Sequence, residues 1–331
     1  SPLGKGVAAL LGSPALMKTL GKGGAMLSPL VLHKVPDSSG LRLRFPTAAM
    51  KDRTVPKIAF RNLFDRLKEF YPGSPDKPVV GFFAGCSITY IYPEIGEHMV
   101  AILRHLGYPV AIPRGQRCCG IPALSSGNGR LVEELAEANV AAFRQRAVEH
   151  LVTACGSCNG GIGEYYRGMK ADFGDFTGKV VDFSVFLKKA GLFEKLAGME
   201  KWPDRVRVTY HDPCHLKTRG ITREPRELLK ALPNVDFVEM EHASSCCGLG
   251  GTFSVHHYEC SKAIGARKVP GLKESGASQI ATACPGCIMQ LQDIVNHAGL
   301  KVKAVHILEL LAQAAAGKGF ECLSSEPAGI A

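Results

Sequence analysis

The chain has 331 residues, is 46% hydrophobic and has a mean hydropathy of +0.04, so it has room for two ordinary domains and too much core-forming material to be disordered. No run reaches the roughly 18–20 uninterrupted apolar residues of a spanning helix, and the chain is read as not integral to a membrane. The net charge of +10 is uneven: residues 1–77 carry 13 Lys/Arg against 5 Asp/Glu, whereas residues 78–331 carry 27 against 25. A basic leader of this kind reads as a docking surface for an acidic partner or an anionic membrane face, or simply as a solubilising one. Nucleic acid is not expected as a partner, because no finger, helix-turn-helix or aromatic–basic module is present.

Residues 1–36 hold four lysines and no acid, in apolar runs too short and too broken by Gly and Pro for a secretion signal; the start reads as the interior of a longer or processed polypeptide. The spacing of Ile58, Leu63, Phe64, Leu67 and Phe70 predicts a helix over 57–70. Residues 1–77 thus form a basic, partly helical leader or connector.

The regular part follows. Val79–Ala84 predicts a buried strand running into Gly85-Cys86, 94–106 a helix, and Tyr108–Ile112 a second strand before Cys118-Cys119-Gly120. Residues 130–149 predict the longest helix, Leu151–Ala154 a third strand ending at Cys155-Gly-Ser-Cys158, and 179–187 a fourth strand and the start of a helix. The order then recurs: Val206–Tyr210 before Cys214, Val235–Met240 before Cys246-Cys247, a helix over 257–274, Gln279–Ala283 before Cys284-Pro-Gly-Cys287, and Lys303–Leu311. The expected domains are 78–200 and 203–316, with a tail at 317–331. The fold class is α/β, with two tandem pseudo-symmetric parallel-sheet domains that carry helices on both faces. In such sheets ligands bind beyond the carboxyl ends of the strands, which is where all the cysteine groups fall.

Ten of the twelve cysteines obey this repeat. Thirty-one residues separate Cys86 from Cys118 and 35 separate Cys119 from Cys155; the second set has gaps of 31 and 36, and the offsets between matching positions are 128 or 129. Such regularity marks an internal duplication. Adjacent pairs and Cys-x-x-Cys clips in a chain with an ample core point to metal ligation in a reducing compartment, not to a disulfide scaffold. Five thiolates per repeat exceed the four ligands of a structural zinc, so iron–sulfur clusters are the better match, with zinc in one repeat as the alternative. Gly120 and Gly248, directly after the pairs, permit a positive φ or a close backbone approach.

These spacings, with Gly81-Phe-Phe-Ala-Gly-Cys86, Arg117-Cys-Cys-Gly-Ile-Pro-Ala123, Tyr210-His-Asp-Pro-Cys-His215 and Cys246-Cys-Gly-Leu-Gly-Gly-Thr-Phe253, resemble the paired Cys-Cys-Gly domains of the heterodisulfide reductase B-subunit superfamily. That superfamily includes the iron–sulfur subunits of lactate, glycolate and anaerobic glycerol-3-phosphate dehydrogenases. The resemblance covers about residues 78–315. It implies two noncubane [4Fe-4S] clusters, one on Cys86, Cys118, Cys119, Cys155 and Cys158, the other on Cys214, Cys246, Cys247, Cys284 and Cys287. It further implies electron transfer from a separate flavoprotein dehydrogenase subunit toward a quinone or membrane carrier, because this chain shows neither a flavin motif nor an acid–base set for hydride abstraction. The alternative within the superfamily is cluster-based disulfide reduction. Such subunits commonly carry a ferredoxin-like module before the basic stretch; no cysteine precedes Cys86, so that module is read as absent, as lying in a missing N-terminal part, or as carried by another chain. The implied location is cytoplasmic, with peripheral attachment to the inner membrane face.

Lesser signals surround the cysteines. His211, Asp212 and His215 flank Cys214 and read as donors to cluster sulfur or as ordinary turn and packing residues. Arg114, Arg117, Lys217 and Arg219 read as charge compensation, anion contacts or solvated loop charge. Gly248-Leu-Gly-Gly251 lacks the spacing of a dinucleotide loop. Cys260 and Cys322 are expected to be free thiols, and His256-His257 a polar helix start.

Overall fold

The computed structural model describes residues 12–35, 41–44, 52–169 and 173–317. The leader contributes a helix, Pro14–Val31, followed by β1 (Leu32–Lys34) and β2 (Leu41–Leu43), which pair antiparallel. Ser13 caps the helix by accepting from the Leu16 N–H, and a proline at the helix start lacks only an N–H that would have no helical partner. The helix predicted over 57–70 is not formed. Asn62 instead caps a single 3₁₀ turn, Leu63–Asp65, and Phe70–Tyr71 extends as β3. Leu63 is still fully buried, so the apolar residues are used without the helix that their spacing suggested.

The first sheet runs β3, β5 (Val110–Ala111), β4 (Val80–Phe83), β6 (His150–Thr153) and β7 (Val180–Asp182); all pairs are parallel except the β3 edge. In the second, the order is β9 (Val235–Phe237), β8 (Val206–His211), β10 (Gln279–Thr282) and β11 (Lys303–His306), all parallel. Apart from β3 the two orders are identical, as a duplicated unit requires. The strands are short and apolar because both faces are covered. Helix Pro93–His105, for example, turns Ile95, Met99, Ile102 and Leu103 inward at helical spacing, each buried side chain contributing about 1.5–3 kcal/mol.

The long helix after the first pair is Gly129–Arg144; at 16 residues it is shorter than the 18-residue leader helix, so the prediction of the longest helix fails here. The continuous helix predicted over 257–274 is two, Tyr258–Ala266 and Val269–Ser275. Pro270 opens the second of them, where its missing N–H does no harm, whereas inside a continuous helix it would remove a hydrogen bond.

The two sheets face each other through the carboxyl ends of their strands. The Gly156 N–H donates to the Ala283 carbonyl at 2.9 Å, and His306 Nε2 lies 3.0 Å from the Ala154 carbonyl oxygen. Each repeat also lends a helix to the other. Ile307–Gly317 packs on Pro93–His105, while Phe183–Lys189 packs on Arg223–Ala231, with a Lys188–Glu227 ion pair across the joint.

Candidate metal centre

Three turns supply each group of thiols. In the first repeat Cys86 enters through the helix Gly85–Tyr90 after β4, Cys118 and Cys119 through the turn after β5, and Cys155 and Cys158 through the helix Gly156–Gly160 after β6. Cys86 Sγ stands 3.5 Å from Cys118 Sγ. Cys118 is hydrogen-bonded to Cys119, Cys119 to Cys158, and Cys158 to Cys155. The second group links Cys214 to Cys246, Cys246 to Cys247, Cys247 to Cys287 at 3.7 Å, and Cys287 to Cys284. The groups also touch each other: Cys155 Sγ and Cys284 Sγ are 4.0 Å apart, and Ser157 Oγ is 3.4 Å from Cys284 Sγ. All ten periodic cysteines therefore form one continuous string of sulfur.

The electrostatics suit a cation. Hydrogen bonds from Cys118 and Cys158 pull the Cys119 thiol down to about 5, that from Cys214 pulls Cys246 down to about 2, and that from Cys155 lowers Cys284 well below the ordinary thiol range. Their donors Cys118, Cys155, Cys158 and Cys214 are pushed up in turn. Sulfur anions spread over two five-thiol groups, with Cys119 and Cys284 buried and Cys246 exposed, fit a thiolate-ligated iron–sulfur centre better than a four-ligand zinc.

Gly120 and Gly248 adopt φ of +91° and +93°. A Cβ at Gly120 would stand 2.9 Å from Val132 Cγ1, and one at Gly248 only 2.2 Å from the Ser261 carbonyl oxygen. The chain therefore turns left-handed directly after each pair, with its backbone pressed against a helix, Gly129–Arg144 in the first repeat and Tyr258–Ala266 in the second.

The flanking residues divide. His211 is fully buried, and its imidazole is brought together with Cys247 and Cys287, all three ligand atoms lying within 4.8 Å of one another. Desolvation lowers its pKa to about 3, so the ring is neutral. Asp212 turns away from sulfur into a two-pronged ion pair with Arg226, at 2.6 and 2.8 Å, and Arg226 also binds Glu239. His215 packs over Gly160 and the edge of Tyr165 at the joint between repeats. Arg117 reaches back to the Gly12 carbonyl, Lys217 donates to the Ser244 carbonyl, and Arg219 lies against Gly163. Arg114 contributes its backbone N–H to Glu69. Cys260 is exposed on its helix, His256-His257 marks a helix junction, and Cys322 lies outside the described residues.

Two positioning residues escape a reading of the sequence. Asn139 donates to the Cys118 carbonyl and to Tyr166 Oη, and accepts from the Arg117 N–H. One period later Lys268, buried, donates to the carbonyls of His242 and Ala243 and to Ser245 Oγ. Both hold the turn that delivers the cysteine pair. Asn139 on its helix and Lys268 in the turn between two helices resemble solvated residues, but the i, i+4 run Leu135, Asn139, Phe143 does put Asn139 on the buried face.

The leader's charge is partly spent within the chain. Lys18 pairs with Asp65, Arg66 with Glu94 and Glu97, and Arg53 donates to the Ser254 carbonyl and to Gln290. No helix among the described residues is long and apolar enough to cross a membrane.

The sequence pattern of the cysteine-rich domain matches twice, at residues 80–163 and 208–292. The chain is 34% identical over 234 residues to the B-subunit of the CoM/CoB fumarate reductase of Methanothermobacter marburgensis, covering 70% of this chain and 45% of that protein. It is 35% identical over 253 residues to "Probable glycolate oxidase iron-sulfur subunit" of Bacillus subtilis, covering 74% and 56%. It is 32% identical over 239 residues to "Lactate utilization protein A" of Oceanobacillus iheyensis, covering 70% and 96%. The chain thus spans about half the length of the first two relatives and nearly all of the third.

Proposed function

The chain belongs to the cysteine-rich domain family, whose pattern it carries twice, and from that premise we propose that it is the iron–sulfur electron-transfer subunit of a flavin-dependent 2-hydroxyacid dehydrogenase of lactate or glycolate type, passing electrons toward a quinone or membrane carrier. The observation that carries this reading is the string of ten thiols joined at Cys155 and Cys284, 4.0 Å apart, which gives two centres in direct register. Cys86, Cys118, Cys119, Cys155 and Cys158 would hold one [4Fe-4S] cluster of noncubane type, and Cys214, Cys246, Cys247, Cys284 and Cys287 the other. Such clusters supply one-electron storage and transfer. The protein residues orient the thiolates, bury four of the five in the first repeat and hold the two turns through Asn139 and Lys268.

The expected partners are a flavoprotein dehydrogenase subunit and a ferredoxin-like module, on this polypeptide or another, with peripheral attachment to the inner face of the membrane. The names of the glycolate oxidase and lactate utilization relatives support this reading. The domain limits proposed are 78–200 and 203–316.

One observation favours a second reading, cluster-based disulfide reduction. Cys246 is exposed and Cys214 half-buried, so the second centre is open to a small molecule.

Anaerobically prepared protein should hold about eight irons and no zinc, and should pass electrons from the flavoprotein to a quinone analogue. Disulfide turnover from a low-potential donor, with no flavoprotein present, would establish the second reading instead. Four irons with one zinc would reject the cluster assignment in one repeat.

A further inference from the structure

The two centres differ in the residue that ends the first strand of each sheet. Phe83 ends β4 and His211 ends β8, 128 residues apart and both fully buried. His211 Nδ1 lies 3.3 Å from the Ala243 carbonyl oxygen. A carbonyl can only accept, so Nδ1 carries the proton and, in the neutral ring, Nε2 carries a lone pair. That Nε2 is buried and has no hydrogen-bond partner among the described residues. A ring nitrogen of His211 and the Sγ atoms of Cys247 and Cys287 lie within 4.8 Å of one another, and Nε2 is the nitrogen left free to bind there.

The ring has little freedom. The same Ala243 carbonyl accepts from the Asp212 N–H at 3.1 Å and from Lys268 Nζ at 3.0 Å, and Asp212 is itself clamped by Arg226. A second partner that fixes the tautomer and aims the free nitrogen is the arrangement that metal-binding histidines use.

We propose that His211 Nε2 is a metal ligand of the second centre, beside Cys247 and Cys287, so that this centre is mixed imidazole–thiolate while the first, with Phe83 in the matching place, is thiolate only. The proposal rests on the iron–sulfur reading above. A neutral imidazole stabilises reduced iron relative to a thiolate, so the second centre takes the higher potential. Electrons would then collect at the centre whose Cys246 faces solvent.

The test uses the whole chain, prepared anaerobically with 15N-histidine and poised where its clusters are paramagnetic. Pulsed EPR should detect the strong nitrogen coupling of a bound imidazole. His211→Phe, which copies Phe83, should abolish that coupling, lower one of the two reduction potentials and leave the other unmoved. His215→Ala should retain it. If His211→Phe does not fold, His211→Gln, which keeps a polar group there, serves with the same expectations. Iron present without nitrogen coupling, or coupling that survives removal of His211, overturns the ligand assignment alone. Absence of iron overturns the cluster reading and this inference with it.

Discussion

In the first repeat the leader helix brings Met17 beside Cys86 and Cys118, in a narrow crevice of about 20 Å³ that Phe64, Tyr90 and Arg117 also line, and four of the five thiols are buried. In the second, Cys246 is exposed and Cys214 half-buried, and the shell contains a histidine, an aspartate–arginine clamp and a buried lysine where the first has Phe83, Ala84 and Asn139. One duplicated scaffold thus supports two environments, the first apolar and covered, the second polar and open. Five equivalent thiols do not make equivalent centres, because potential and access follow from what surrounds the sulfur.

Removing ligands is the harshest way to probe this pairing. Cys119→Ser and Cys247→Ser should each remove about four irons, from one centre and not the other, whereas Cys260→Ser should remove none; metal analysis with EPR reads all three. Equal iron loss from both centres on a single substitution would mean that the string joined at Cys155 and Cys284 binds metal as one unit.

The two left-handed glycines should separate next. Gly248→Ala meets a backbone oxygen that cannot move aside, and should cost about 3–4 kcal/mol in denaturant unfolding. Gly120→Ala meets only a valine methyl, and should cost about 1–2 kcal/mol. Removing the buried amine in Lys268→Met takes one charge-assisted donor from the His242 and Ala243 carbonyls, which keep others, and from Ser245 Oγ, for a loss of about 2–3 kcal/mol. Asn139→Leu should cost about as much, since it strips two donors and an acceptor from the other turn. A Lys268 variant that left stability and the second centre's spectrum unchanged would show that the turns are held elsewhere.

The smallest effect concerns how the leader grips the second repeat. Hydrogen bonding to Asp293, with help from Asp52, raises the His297 pKa to about 9, and Asp293 also accepts from the Thr54 N–H. Because the folded value lies above the unfolded one of about 6.5, this contribution is complete below pH 6.5 and is lost as pH rises through 9. Stability should therefore fall by roughly 1–2 kcal/mol between pH 6.5 and 9.5, after allowance for solvent screening. His297→Gln should remove that slope, and the first centre should not respond.

Much of the architecture was legible in the residues. Short apolar strands such as Val80–Phe83 and Gln279–Thr282, each running into a cysteine, predicted parallel sheets with thiols at their carboxyl ends, and both sheets have that form apart from the antiparallel β3 edge of the first. Failures came where local pattern met tertiary demand. Leu63 and Phe64 have helical spacing, yet Asn62 capped a 3₁₀ turn and Phe70 found an open sheet edge. The flanking charges near Cys214 read alike in sequence, although Asp212 faces Arg226 and His211 faces sulfur.

By itself the sequence determined the duplication, the two five-thiol groups and the sheet ends that carry them, because spacing and strand period are local, repeating properties of the chain. Only the tertiary structure decided that the groups meet at Cys155 and Cys284, that a leader helix lies over the first, and that a buried histidine with one unpartnered ring nitrogen lies beside the second. Those facts depend on how two similar sheets pack against each other and on which way one ring is held, and neither is written in any single stretch of sequence.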